Sequence, residues 1–131
     1  MSARILLVED ESDTRLALTV RLEASGYTVL QAIDGASAIG VASLETPDLI
    51  VLDLGLPDHD GYTVMERLKS NFATASIPVI VLTARDPERN QERSYEVGAL
   101  EFYQKPVPWK WFLASIERAL ARPRSETMPG N

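Results

Sequence analysis

The 131-residue chain contains no cysteine and only one histidine, His59. The absence of cysteine excludes disulfides and thiolate metal ligands, and it suits a reducing compartment. Any metal site in this chain must therefore be built mainly from carboxylate and carbonyl oxygens, a ligand set that suits Mg²⁺ or Mn²⁺ rather than zinc or copper. His59 lies in a Pro-Asp-His-Asp-Gly segment and is predicted to be a solvated loop residue.

The chain also lacks a positive net charge and a long apolar run. Its net charge of -6 opposes attraction to nucleic-acid phosphates and to anionic lipid, so we expect no direct nucleic-acid or membrane partner. The apolar runs are far too short to span a bilayer. The first four residues, Met-Ser-Ala-Arg, lead straight into an apolar run without a signal-peptide layout. The sequence therefore predicts a soluble cytoplasmic protein of one domain.

Short aliphatic runs alternate with segments of helical period along the chain. Strands are predicted at 5–8, 27–32, 49–52, 79–82 and 100–104. Each is followed by a helix: at 14–24, at 35–44, after Asp60 through at least Leu68, at 87–97 and at 108–121. This alternation predicts an α/β domain, a doubly wound five-stranded parallel sheet with five helices and right-handed crossovers. The domain is predicted to span 1–122. Residues 123–131 are polar with two prolines and are predicted to be a disordered tail.

Two helices carry local predictions. In the first helix, Ser12 or Asp13 is expected to cap the start, and the buried face is expected to hold Ala17, Val20 (or Leu18) and Leu22. In the last helix, Trp109 and Phe112 share a face that is expected to pack on the sheet, whereas Trp111 points elsewhere. An exposed tryptophan there would indicate a partner surface, but core packing is the favoured interpretation for these rings.

Reactive side chains follow four of the predicted strands. Glu9 and Asp10 follow the first strand, Asp53 the third, Thr83 the fourth and Lys105 the fifth. Because the carboxyl ends of parallel strands share one edge of a sheet, we expect these side chains to lie close together. The sequence therefore predicts a functional site at this edge.

Three carboxylates at one edge would repel one another. If Glu9, Asp10 and Asp53 lie about 5 Å apart, each ionised pair repels by roughly 3 kcal/mol at an effective dielectric constant near 20. Lys105 alone does not offset this repulsion. The site therefore requires either a proton that raises the pKa of one carboxyl group, or a cation that prefers oxygen ligands. We expect Mg²⁺, with Mn²⁺ as the second candidate.

The order of these motifs resembles the receiver domain of bacterial response regulators. The resemblance covers about residues 4–121 and implies the flavodoxin-like strand order 2-1-3-4-5. The motifs that carry it are Glu9-Asp10, Asp53 in Asp-Leu-Gly-Leu-Pro followed by Asp60-Gly61, Thr83-Ala84 and Lys105-Pro106.

By this resemblance, Asp53 is the nucleophile that accepts a phosphoryl group from a phosphohistidine of a sensor histidine kinase or a phosphotransfer protein. Asp10 is expected to bind Mg²⁺ directly and Glu9 through water, with Asp53 and the backbone carbonyl of Gly55 completing the protein ligands. The chain would then be a signalling phosphoacceptor that catalyses only its own phosphorylation and dephosphorylation, and not a turnover enzyme.

The resemblance also implies a switch that changes partner binding. Lys105 and the Thr83 hydroxyl are expected to contact phosphoryl oxygens, and an aromatic ring of the fifth strand fills the space behind Thr83 when it moves. On a strand, Phe102 and Tyr103 would point to opposite faces of the sheet. The position three residues before Lys105 favours Phe102 as the switch ring, and the interpretation of Phe102 as an ordinary core residue is equally open. The output protein is unknown, and a homodimer through the fourth and fifth helices is left open.

Other interpretations stay open beside this one. A phosphohydrolase of the haloacid-dehalogenase type also uses an Asp nucleophile with Mg²⁺, but it requires a second acid two residues on, where this chain has Gly55. A flavin or dinucleotide binder would carry a glycine-rich loop after the first strand, where this chain has acids. The third alternative is a receiver-like scaffold that works without phosphorylation. The chain is either a free-standing receiver or one cut from a longer protein.

Overall fold

The computed structural model describes residues 2–123 and contains one parallel sheet of five strands in the order β2-β1-β3-β4-β5. The strands are β1 (Arg4–Val8), β2 (Thr28–Ala32), β3 (Leu49–Leu52), β4 (Val79–Thr83) and β5 (Glu101–Gln104). They alternate with α1 (Ser12–Ala24), α2 (Gly35–Glu45), α3 (Gly61–Ser70), α4 (Pro87–Val97) and α5 (Trp109–Ala121). The predicted fold class and strand order are confirmed. The predicted tail lies, apart from residue 123, outside the described residues, and the domain boundary at 122 stays a prediction.

Apolar side chains cover both faces of the sheet, which explains the continuous aliphatic runs of the central strands β1, β3 and β4. Because side chains alternate along a strand, Leu6 and Ile50 pack toward α2 and α3, while Ile5 and Leu49 pack toward α1 and α5. Both layers are closed to solvent at their centres. The sheet is thus a rigid frame whose carboxyl edge fixes the loops that follow each strand. Within residues 2–123, no helix has the length and apolar composition needed to cross a bilayer.

Acidic side chains cap the starts of four helices. Asp34, Asp60 and Asp86 accept backbone N–H bonds at the starts of α2, α3 and α4, and Pro87 occupies the first turn of α4 as predicted. The prediction for α1 is wrong, because its cap is Glu11 and not Ser12 or Asp13. The longer Glu11 side chain reaches forward to the backbone N–H groups of the first turn, so the helix begins two residues earlier than predicted.

The predicted buried face of α1 is only partly correct. Leu22 is fully buried and Leu18 is half-buried, but Ala17 is exposed and Val20 is 56% exposed. The helix therefore contacts the sheet along a narrow stripe, and its other apolar side chains face solvent. Helical spacing predicted the period of this face but not its width.

The aromatic residues of α5 divide between core and surface. Phe112 is fully buried, and its ring lies 5.9 Å from that of the half-buried Trp109, which confirms their predicted packing. Trp111 is 64% exposed, which confirms that it points away from the face of Trp109 and Phe112, whereas the favoured core-packing interpretation is wrong for this ring. The reason is geometric: one position before Phe112, the helix turns the side chain about 100° away from the sheet.

Ser115 of α5 is a buried residue whose hydroxyl has no hydrogen-bond partner among the described residues. An unpaired buried polar group destabilises the folded state, so Ser115→Ala is expected to raise the free energy of unfolding by about 1 kcal/mol. Urea denaturation measures this change. Ser94→Ala is the matched control, because Ser94 is equally buried but its Oγ donates to the Asn90 carbonyl at 2.7 Å. A loss of stability in Ser115→Ala would contradict the prediction.

Candidate functional site

Three carboxylates meet at the carboxyl edge of the sheet. Glu9 and Asp10 follow β1 and Asp53 follows β3, and each offers an oxygen within 4.8 Å of the others. Adjacent strands cause this approach, because Val8 of β1 pairs in register with Leu52 of β3. Glu9 is only 2% exposed, Asp53 is partly buried and Asp10 faces solvent. The predicted proximity is confirmed, and the donor set fits a divalent cation that prefers oxygen ligands.

Lys105 inserts its ammonium group between two of these carboxylates. Its Nζ donates to Oδ2 of Asp53 at 3.0 Å and also to Oε1 of Glu9. The backbone holds it there, since the Lys105 N–H donates to the Thr83 carbonyl at 2.8 Å. The following peptide bond to Pro106 is cis. One cation therefore pairs with the nucleophile candidate and with the most deeply buried acid.

Burial and hydrogen bonding shift the pKa values of these groups in different directions. Burial raises the pKa of Glu9 above its ordinary value, although the bonds from Lys105 and the Glu11 N–H oppose it. Burial also acts to raise the pKa of Asp53, but the Gly55 N–H, Lys105 and the Thr83 hydroxyl outweigh it and lower that pKa. For Lys105, burial alone would lower the pKa, but its bonds to the two carboxylates raise it. Asp53 is therefore ionised at neutral pH beside a firmly protonated lysine.

Thr83 and Gly55 stand next to Asp53. The Thr83 hydroxyl is buried at the end of β4, accepts a bond from the Arg85 N–H at 3.3 Å and helps to lower the pKa of Asp53. The Gly55 N–H donates to Oδ1 of Asp53 at 3.0 Å. With Gly55 on Oδ1 and Lys105 on Oδ2, the orientation of the Asp53 carboxylate is fixed.

Phe102 of β5 is buried in the core. It is 6% exposed and pairs in register with Val81 of β4, on the face covered by α2 and α3. Tyr103 packs on the opposite face with Phe112, so the predicted alternation of the two rings is confirmed. Burial fits both the core interpretation and the switch interpretation of Phe102.

Sequence reasoning missed Arg15 and Asp58 near the site, and it did not predict the ion pair of Arg85. Arg15 donates to the carbonyls of Glu9 and Asp10 at 2.9 and 3.2 Å, which fixes the turn after β1. Arg85 pairs with Asp60 at 3.1 Å. Asp58 accepts backbone N–H bonds from the start of α2. No sequence pattern indicated this contact of Asp58.

His59 lies in a loop as predicted, but it is only partly solvated. Its side chain is 35% exposed and lies against the start of α2, with Gly35 leaving the room that the ring occupies. The loop is therefore packed on its neighbour instead of being freely solvated.

Comparisons with known proteins agree with this geometry. The family model of the response regulator receiver domain matches residues 5–117. Response regulator PleD of Caulobacter vibrioides is 41% identical over 123 residues, which is 93% of this chain and 27% of PleD. The chain thus spans about a quarter of PleD, and about half of several other curated relatives.

Solved structures of other proteins share the fold, and two of them serve as examples. A response regulator structure from Chloroflexus aurantiacus has a TM-score of 0.89 at 28% identity and covers 93% of this chain and 100% of its own. The receiver domain of sensor histidine kinase PA1611 from Pseudomonas aeruginosa, solved with magnesium in its active-site cleft, has a TM-score of 0.86 at 26% identity, with coverage of 93% and 100%. Because the family match spans nearly all of the described residues and the relatives agree with it, the chain belongs to the receiver domain family of two-component response regulators.

Proposed function

We propose that Asp53 accepts a phosphoryl group in a Mg²⁺-dependent reaction and that this modification switches the affinity of the chain for a partner. The observation that carries the proposal is the state of the Asp53 carboxylate. Its pKa is lowered, Gly55 and Lys105 orient it, and it lies beside the carboxylates of Glu9 and Asp10. An ionised and oriented carboxylate is what a covalent phosphoryl transfer requires of its nucleophile.

The donor is a phosphohistidine of a sensor histidine kinase or a phosphotransfer protein. A carboxylate oxygen of Asp53 forms the new bond to phosphorus as the phosphorus–nitrogen bond breaks, and the electron pair returns to the imidazole of the donor. Asp10, Asp53 and the Gly55 carbonyl would hold Mg²⁺ directly, and Glu9 through water. When bound, Mg²⁺ would offset the negative charge on the phosphoryl oxygens. Mn²⁺ suits the same oxygen ligands.

Lys105 and Thr83 supply the remaining contacts. Lys105 leaves Oδ2 of Asp53 and donates to a phosphoryl oxygen, which its flexible stem allows. Thr83 turns its hydroxyl from the Arg85 N–H toward another phosphoryl oxygen, and Phe102 fills the space behind it. This rearrangement is the switch that an output protein, or a second copy through α4 and α5, would sense.

This assignment makes the chain a cytoplasmic signalling phosphoacceptor, acting only on its own phosphorylation and dephosphorylation. A scaffold that works without phosphorylation would have no need of the complete set of Asp53, Thr83 and Lys105 beside an acidic pair. A turnover phosphohydrolase would need a second acid where Gly55 stands. Both alternatives therefore lose support from the residues present.

The proposal is tested by intact mass after incubation with a small phosphodonor such as acetyl phosphate, with Mg²⁺ and with chelator. We expect a single phosphoryl adduct that requires Mg²⁺ and is removed by hydroxylamine, which cleaves acyl phosphates but not phosphate esters. Asp53→Asn is the matched control, because it keeps the shape of the side chain and removes its charge. An adduct on Asp53→Asn, or its absence from the folded native chain, would overturn the proposal.

A further inference from the structure

The segment between β3 and α3, residues 53–60, carries both Asp53 and Gly55, and we call it the β3–α3 loop. Hydrogen bonds hold its two ends. The Asp53 N–H donates to the Val8 carbonyl at 3.1 Å, and the N–H of Gly61 donates to the Leu54 carbonyl at 2.9 Å. Neither bond restrains the middle of the loop, which lies against the start of α2.

Asp58 makes the connection between the loop and α2. Its Oδ1 accepts from the Gly35 N–H at 2.7 Å and its Oδ2 accepts from the Ala36 N–H at 3.0 Å. The helix does not need Asp58 as its local cap, because Asp34 already fills that role with a bond from the Ser37 N–H at 2.8 Å. The pKa of Asp58 is lowered to about 2, chiefly by the bond from the Gly35 N–H and further by the bonds from the Ala36 and His59 N–H groups. The carboxylate is therefore fully charged near neutral pH.

Gly35 makes room for the same contact from the side of the helix. A Cβ atom added to Gly35 would lie 2.9 Å from Cβ of His59 and 2.9 Å from Cγ2 of Val64. Real Cβ contacts are longer, so an alanine here would push the loop away from α2. The bonds of Asp58 draw the loop toward α2, and the missing side chain of Gly35 lets the loop approach the helix closely.

Building on the proposed function, we propose that Asp58 is a positioning residue that clamps the β3–α3 loop to α2 and thereby holds Gly55 and Asp53 in the arrangement that binds Mg²⁺. Asp58 does not touch the metal ligands itself. By fixing the middle of the loop, Asp58 shortens the part that can move. Among the described contacts, Gly55 itself is restrained by the bond from its N–H to Asp53. Groups that orient metal ligands from outside typically change metal affinity by about tenfold or more when they are removed.

Isothermal titration with MgCl₂ tests the clamp in the full chain. Asp58→Ala and Gly35→Ala are each expected to raise the dissociation constant for Mg²⁺ roughly tenfold. Asp58→Asn keeps one acceptor oxygen and is expected to fall between Asp58→Ala and the native chain. Asp34→Ala is the matched control, because it weakens the start of the same helix without touching the loop, and its affinity is expected to stay within about twofold of the native value.

A second readout separates metal positioning from general damage. If the clamp acts through Mg²⁺, the phosphorylation rate of Asp58→Ala falls at limiting Mg²⁺ and recovers at saturating Mg²⁺. Native affinity in both Asp58→Ala and Gly35→Ala would overturn the inference, and so would an equal loss in Asp34→Ala. Failure of the native chain to bind Mg²⁺ would instead overturn the proposed function. If Asp58→Ala does not fold, Gly35→Ala and Asp58→Asn decide the result.

Discussion

Replacing Lys105 by Met is expected to lower the free energy of unfolding of the metal-free protein by about 3 kcal/mol. Met keeps most of the length of the side chain and removes the ammonium group that pairs with Glu9 and Asp53. The Lys105 side chain is only 22% exposed and Glu9 is almost fully buried, so solvent would replace the lost pairing poorly. Urea denaturation in the presence of chelator measures the loss.

The same variant is expected to regain much of this stability in Mg²⁺. A divalent cation among the carboxylates would supply the positive charge that Lys105 no longer provides. Lys110→Met serves as the control, because Lys110 is exposed on α5, and its effect should be small in both conditions. An equal loss with and without Mg²⁺ would show that Lys105 acts through packing and not through charge.

Gly61→Ala is expected to lower the free energy of unfolding by about 2–3 kcal/mol. A Cβ atom at this first position of α3 would lie 2.5 Å from Cα of Leu54 and 3.1 Å from the Asp53 carbonyl oxygen. Both neighbours are backbone, so relief requires the β3–α3 loop to move. Chemical denaturation measures the stability, and the Mg²⁺ affinity of the variant is expected to fall with it.

Gly40→Ala provides the contrast on a second helix. Gly40 lies inside α2 on the exposed side, and a Cβ atom there would have no heavy atom within 4 Å. Alanine loses less conformational freedom than glycine when it enters a helix, so this variant is expected to gain about 0.5–1 kcal/mol. Similar stabilities for the two alanine variants would contradict the steric argument for Gly61.

The sequence was sufficient to predict the sheet and the grouping of the site. Parallel strands expose their carboxyl ends at one edge, so residues that follow strands, such as Asp10, Asp53 and Thr83, are brought together by topology alone. That topology follows from the alternation of aliphatic runs with helical periods. This topology does not depend on details of packing. The predicted grouping of the site is therefore correct even though the predicted start and buried face of α1 are partly wrong.

The path of a loop was beyond sequence reasoning. Asp58 bonds to α2 because of the route that the chain takes after β3, and residues 23 positions apart in sequence carry no local pattern that announces such a bond. Exposure was also hard to predict. Trp111 is apolar and one residue from the buried Phe112, so its place on the surface depends on how α5 is rotated against the sheet.

The bond between Lys105 and Glu9 joins residues 96 positions apart in the chain. During synthesis, β1 and its acids emerge well before β5, so a chain that ends before β5 carries the acidic pair without the lysine. Contacts of such large sequence separation are slow to form, because the entropy cost of closing a long loop must be overcome first. The pairing of Glu9 and Asp53 with Lys105 therefore requires β5 to be made and docked beside β4, so the last strand of the sheet completes the site.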